Sequence, residues 1–178
     1  WTVMSSTPAD TIWRLTVLEG RLWATGNGNT EPVNGGVDRR EFTYYREEAD
    51  GSWTRISSTN SPAPIRAVET GLGAVAVGSI GRIWTRFPDE TWRNLGVGPR
   101  YTLVDLVDFQ GLLVAVGRET TTRAFITTST DGLTWTPRAS VVSRGFRAVA
   151  QGAGRLVAVG DEVIRVSEDG VNWSETAF

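Results

Sequence analysis

Four times along the chain a short run of small and branched apolar residues closes on a glycine: residues 22–26 (LWATG), 74–78 (AVAVG), 113–117 (LVAVG) and 156–160 (LVAVG). Within the runs Val and Ala alternate or follow one another. The three- and four-residue apolar spacing of a helix face is missing, so the pattern predicts strands and no helix. A turn and a single tryptophan follow each run, at Trp53, Trp92, Trp135 and Trp173, giving intervals of 39, 43 and 38 residues.

The last copy is the most complete. Residues 146–151 (FRAVAQ), 155–160 (RLVAVG), 163–167 (VIRVS) and 172–178 (NWSETAF) read as four strands joined by short polar turns. Gly or Asp in such turns supplies the positive φ that tight hairpins need. Four consecutive hairpin-linked strands make an antiparallel meander, and a repeat of about 40 residues built this way is one blade of a β-propeller. The second strand is apolar on both faces, as expected where each blade is packed between two others. The predicted fold is an all-β propeller segment of about four blades: residues 13–57 with an insertion at 27–40, 58–95, 96–139 and 140–178. Residues 1–12 read as the outer strand of a preceding blade and a crossing, because Trp1-Thr2-Val3 matches Trp135-Thr136 and Trp173-Ser174. Five tryptophan strands against four sets of inner strands suggest blades cut from a larger or assembled propeller, with oligomerisation as one route to completion; the alternative is four blades that close on themselves with residues 1–12 as an extra arm.

Composition narrows the chemistry. The 178 residues hold neither Cys nor His, which removes thiol nucleophiles, thiolate metal sites and the commonest general base. A net charge of −2 gives no electrostatic case for nucleic acid. No apolar stretch approaches the roughly 18 residues of a membrane span, and no membrane insertion is expected. Neither a cofactor nor a metal is predicted.

The densest local chemistry lies in Ser129-Thr130-Asp131-Gly132-Leu133-Thr134-Trp135 and its copy Ser167-Glu168-Asp169-Gly170-Val171-Asn172-Trp173. An Asp here accepts backbone N–H groups across the turn, Gly takes the positive-φ position and Trp covers apolar surface. This motif resembles the Asp-box, or bacterial neuraminidase repeat, in the shortened form found in bacterial propellers such as photosystem II assembly-factor-like proteins. Asp50-Gly51-Ser52-Trp53 and Asp89-Glu90-Thr91-Trp92 are degenerate copies. The resemblance implies a structural role for Ser129, Asp131, Gly132, Trp135, Ser167, Asp169, Gly170 and Trp173 at the blade periphery, and an extracellular or periplasmic location.

Two groups of residues are candidates for ligand contact. Trp13-Arg14, Ile65-Arg66 and Phe146-Arg147 align at the start of the innermost strands, while Tyr101-Thr102 breaks the series. Arg14, Arg66 and Arg147 turned toward a central channel would clamp a carboxylate, sulfate or phosphate. Sialidases, which share the Asp-box, hold a substrate carboxylate with three arginines in this manner. The competing expectation pairs each Arg with an acid such as Glu69, Asp105 or Asp108. The second group is the insertion, where Asn27, Asn29, Asn34 and Asp38 are placed to hydrogen-bond sugar or peptide. A smaller extension at 118–123 (RETTTR) would shape the same loop face. Trp23 and Trp84 are candidate sugar-stacking platforms.

A sialidase-like site also requires a Tyr–Glu pair, for which Tyr44, Tyr45 and Glu47 qualify by type, and an F-R-I-P segment, whose nearest string is Pro64-Ile65-Arg66-Ala67. No catalytic residue is assigned. The expected function is a non-catalytic recognition or assembly module whose loop face binds a protein partner or the remaining blades of a larger propeller. The alternatives are a carbohydrate-binding propeller and a sialidase-like glycoside hydrolase fragment.

Overall fold

Each repeat folds as a four-stranded antiparallel meander. The computed structural model describes residues 11–18, 20–28, 41–59, 64–71, 73–78, 81–86, 92–94 and 101–176. Among these there is no α-helix. The chain divides into two compact units, 1–63 and 64–178. The first holds one sheet of β1 (Thr11–Leu18), β2 (Arg21–Gly28), β3 (Glu41–Glu47) and β4 (Trp53–Thr59), in that order. The second holds three sheets. They are β5 (Pro64–Thr70), β6 (Gly73–Gly78), β7 (Ile83–Arg86), β8 (Trp92–Asn94); then β9 (Thr102–Phe109), β10 (Leu112–Thr120), β11 (Arg123–Ser129), β12 (Thr136–Val142); then β13 (Phe146–Gly152), β14 (Arg155–Gly160), β15 (Val163–Ser167), β16 (Ser174–Glu175).

The recurrent glycine has a common cause in all four sheets. It pairs with the residue just before a bulge in the first strand: Gly26 with Ile12, Gly78 with Pro64, Gly117 with Leu103 and Gly160 with Phe146. One residue of the first strand is then skipped in the ladder: Trp13, Ile65, Val104 and Arg147. A bulge brings the two backbones together and re-aims the extra side chain. At Gly117 a Cβ would run into the Thr102 carbonyl oxygen, and at Gly160 into that of Gly145, so no larger residue fits.

In the second unit β9 lies between β5 and β13, and two apolar clusters join the three sheets. Val75, Val77 and Ile83 pack with Leu103, Leu106, Leu113, Ala115 and Phe125. Val114, Val116, Ala124 and Ile126 pack with Phe146, Val149, Leu156, Ala158 and Val163. Strand β10 thus sends Leu113 and Ala115 to one neighbour and Val114 and Val116 to the other, following the period-two alternation of a strand. Each of the Leu and Val side chains so removed from water contributes about 1.5–3 kcal/mol.

Several boundaries differ from expectation. The divisions at 12/13, 57/58 and 139/140 fall inside β1, β4 and β12. Strand ends are set by backbone pairing, as between Arg123 and Val142, and continue past the apolar run. The extension at 118–123 is not a loop: β10 and β11 lengthen through Thr120 and Arg123. Asn27 and Gly28 belong to β2, paired with Phe42 and Glu41, so the insertion begins two residues later than its composition suggests. Positive φ in the β14–β15 turn falls on Glu162 (58°), not on Asp161. The outer strand expected at residues 1–3 and the insertion at 29–40 lie outside the described residues.

Candidate functional site

The two complete Ser-x-Asp-Gly turns share one hydrogen-bond pattern. Ser129 Oγ donates to Asp131 Oδ1 at 2.9 Å, and that carboxylate oxygen accepts the N–H groups of Leu133 and Thr134 at 2.8 and 2.7 Å. Asp169 accepts likewise from Ser167 Oγ at 3.0 Å and from Val171 and Asn172 N–H at 2.8 and 2.7 Å. The N–H of Thr134 above all holds the Asp131 carboxyl below its ordinary range. The N–H and side-chain amide of Asn172 do the same, more strongly, for Asp169. Trp135 and Trp173 donate their indole N–H to the Gly132 and Gly170 carbonyls at 3.2 and 3.0 Å.

These turns also join sheets. Gly132 lies against Val75 of the preceding sheet, and its carbonyl accepts from Thr85 Oγ1 at 3.0 Å. Gly170 lies against Leu112 and Val114 of the preceding sheet. In the first unit Asp50 accepts from Ser52 N–H and Oγ at 2.9 and 2.6 Å. The serine there follows the aspartate, and the turn closes on itself.

The arginine series is out of register. Arg14, Arg66, Asp105 and Ala148 all sit twelve residues before the glycine of their repeat and pair with the residue preceding it. Arg147 is one position earlier, the skipped residue of its bulge, and Tyr101-Thr102 precedes the equivalent position. A one-residue slip reverses the side-chain direction in a strand. Arg66 and Arg147 accordingly go separate ways. Arg66 pairs with Asp105 (Nε to Oδ1, 3.3 Å), whose other oxygen accepts the Val149 N–H at 3.0 Å. Asp105 therefore ties β9 to both β5 and β13. Arg147 binds Asp161 through two bonds, Nε to Oδ1 at 2.8 Å and Nη2 to Oδ2 at 2.9 Å.

Arg147 lines a cleft of about 650 Å³ in the second unit, with Ile65, Thr102, Val104, Arg118, Thr121, Arg144, Gly145, Phe146 and Asp161. Three of these, Ile65, Val104 and Arg147, are the skipped bulge residues of successive sheets, so the bulges supply the cleft with its inward side chains. The remainder come from the starts of β9 and β13 (Thr102, Phe146), the β10–β11 hairpin, the β12–β13 crossing and the β14–β15 turn. Three guanidinium groups face one carboxylate, leaving an excess of two positive charges among the described lining residues. Arg147 holds the Asp161 carboxyl below its usual range, chiefly by hydrogen bonding, and Arg144 adds to this through space.

Of the arginines expected to bind ligand, Arg147 alone is among these lining residues; Arg14 lies in the first unit. Asn29, Asn34 and Asp38 lie outside the described residues, as does the side chain of Asn27. Trp23 and Trp84 are buried, at 3% and 7% exposure, and are not open platforms. Arg46 instead stacks 5.9 Å from the Trp23 ring centre. Tyr45 and Glu47 are half-buried on β3 in the first unit. Arg118 falls in the extension at 118–123 that was read as part of the loop face, whereas Arg144 and Asp161 were not expected at a site. A signal was present for two of them: Arg118 and Asp161 directly follow the recurrent glycine, as Asn27 does.

No family model matches the chain, and no curated protein matches it. Among solved structures it is similar to the α-L-arabinofuranosidase Arb93A from Fusarium graminearum in complex with an iminosugar inhibitor. The TM-score is 0.51 and the identity 14%, over 96% of this chain and 67% of that one. The likeness is one of fold: an all-β, propeller-type architecture. A protein of unknown function from Bacteroides thetaiotaomicron matches with a TM-score of 0.41 and 11% identity, over 97% of this chain and 61% of that one.

Proposed function

We propose that the chain is a non-catalytic recognition module of the Asp-box propeller type, and that the loop-end cleft of its second unit engages an acidic protein partner. One observation carries this reading. The described lining holds three arginines from neighbouring sheets and a single carboxylate, Asp161, which is bound to Arg147. Glycoside hydrolysis by acid–base chemistry uses two carboxylates set apart around the scissile bond. A cationic, partly aliphatic cleft suits capture of an anionic group instead.

A carbohydrate-binding reading draws support from the cleft volume, which is in the range of small-ligand sites, and from the hydroxyls of Thr102 and Thr121. The experiment pairs two measurements on one preparation. Hydrolysis of nitrophenyl glycosides, the α-L-arabinofuranoside included, is expected to stay at the uncatalysed rate. Binding of acidic peptides is expected to weaken steeply as salt rises. Turnover abolished by Asp161→Asn would sink the non-catalytic reading.

A further inference from the structure

Arg118 and Arg144 differ from most arginines of the second unit. Among the described residues neither makes a hydrogen bond or an ion pair, whereas Arg66, Arg123, Arg138, Arg147 and Arg165 are each joined to an acid or a hydroxyl. Both line the cleft, and the backbone next to Arg144 lies close to Arg118. Gly145, next to Arg144, lies against the Arg118 stem so closely that a Cβ there would be 3.1 Å from Arg118 Cβ and 3.8 Å from its Cδ. Among the described residues, the cleft thus holds two arginines that no hydrogen bond or close ion pair engages, Arg144 acting on Asp161 only through space. An anion entering the cleft would offset the excess positive charge of its lining.

The same cleft already shows how a carboxylate binds. Asp161 meets Arg147 in the bidentate geometry that guanidinium offers to carboxylate. Its turn is pinned to the crossing that carries Arg144: Asp161 N–H donates to the Gly145 carbonyl at 3.2 Å, and Ser143 Oγ donates to the Asp161 carbonyl at 2.6 Å. The aspartate occupies one of three cationic positions and leaves two.

We infer that Arg118 and Arg144 form a binding site for the carboxylates of an acidic peptide segment, and that Asp161 is its internal competitor, holding Arg147 until a peptide carboxylate replaces it. This rests on the recognition role proposed above. The peptide assignment follows from the rest of the lining. Ile65 and Val104 offer aliphatic contact to side-chain stems, and Thr102 and Thr121 offer hydroxyls to backbone amides, in a volume far larger than one oxyanion fills.

The test is fluorescence anisotropy of a labelled hexaglutamate peptide against the whole chain at low salt. Arg118→Gln with Arg144→Gln is expected to weaken binding at least tenfold, and Asp161→Asn to tighten it severalfold by freeing Arg147. Arg118 and Arg144 are exposed and Asp161 is half-buried, and a thermal melt of each variant checks that the fold is kept. Unchanged affinity in the double variant overturns the site while leaving the recognition role standing. Weaker binding in Asp161→Asn overturns the competitor role. Failure of the peptide to bind at all overturns both the site and the role. Inorganic sulfate displacing the peptide at equal concentration, or a uronic-acid oligosaccharide binding more tightly than it, overturns the peptide assignment and makes the site one for simple oxyanions or for glycans.

Discussion

The pentapeptide Leu-Val-Ala-Val-Gly occurs twice, in β10 and in β14, and the two copies meet different surroundings. In β10 all four apolar residues are buried, with Leu113 and Ala115 against one sheet and Val114 and Val116 against the next. In β14 Leu156 and Ala158 are buried at 0% exposure, while Val157 is half-buried and Val159 is 38% exposed. Identical residues with identical ladder geometry therefore serve one packed face in one sheet and two in the other. The alternation of a strand is fixed by its backbone; the number of faces covered depends on what lies beyond them.

The largest effect is expected where the two copies agree. Gly117→Val and Gly160→Val each place a side chain into a carbonyl of the adjacent strand and should cost about 4 kcal/mol or more. Denaturant unfolding of both variants measures this, and a mild effect at Gly160 alone would mean that the β13 bulge relaxes where the β9 bulge does not. The next experiment uses the difference itself. Val116→Thr buries a hydroxyl at a site with 0% exposure and should cost about 2 kcal/mol. Val159→Thr should cost under about 0.5 kcal/mol, as an exposed substitution does. Equal costs in chemical denaturation would show that the outer face of β14 is covered in solution.

The smallest effect concerns pH and reverses the comparison, because the β13–β16 sheet has the more strongly bonded turn. Asp169 accepts the Asn172 side-chain amide at 2.7 Å in addition to the bonds it shares with Asp131. Both carboxyls lie below their ordinary range when folded. Their stabilisation is thus present above the unfolded aspartate value near 3.9 and is lost as pH falls through the folded values. Melting temperature should be flat from neutral pH to about 4 and drop below that. Asp131→Asn with Asp169→Asn should flatten the acid limb. An unchanged limb would place the acid sensitivity elsewhere, as in the Arg147–Asp161 ion pair, whose carboxyl is also lowered.

The sheets were legible because period-two runs, glycines and tryptophans are local signals; the last blade's second and third strands, β14 and β15, fall on the residues expected of them. The candidate site was half legible. Arg147 was named, but grouped with Arg14 and Arg66, because aligning by the preceding apolar residue (Trp13, Ile65, Phe146) ignored the bulge. Counting back from the glycine aligns Arg14, Arg66, Asp105 and Ala148 and makes Arg147 the odd residue. The ion pair of Arg66 with Asp105 also answers to a pattern in the sequence, since the two occupy the same position in successive repeats.

By itself the sequence determined the strand order, the repeat and the turn chemistry, since each depends on residues within a few positions of one another. Tertiary structure alone decided which arginines share a cleft, which of them are neutralised and which faces of identical strands are buried. Those outcomes depend on how separate sheets meet, and charge pairing and burial are properties of that meeting.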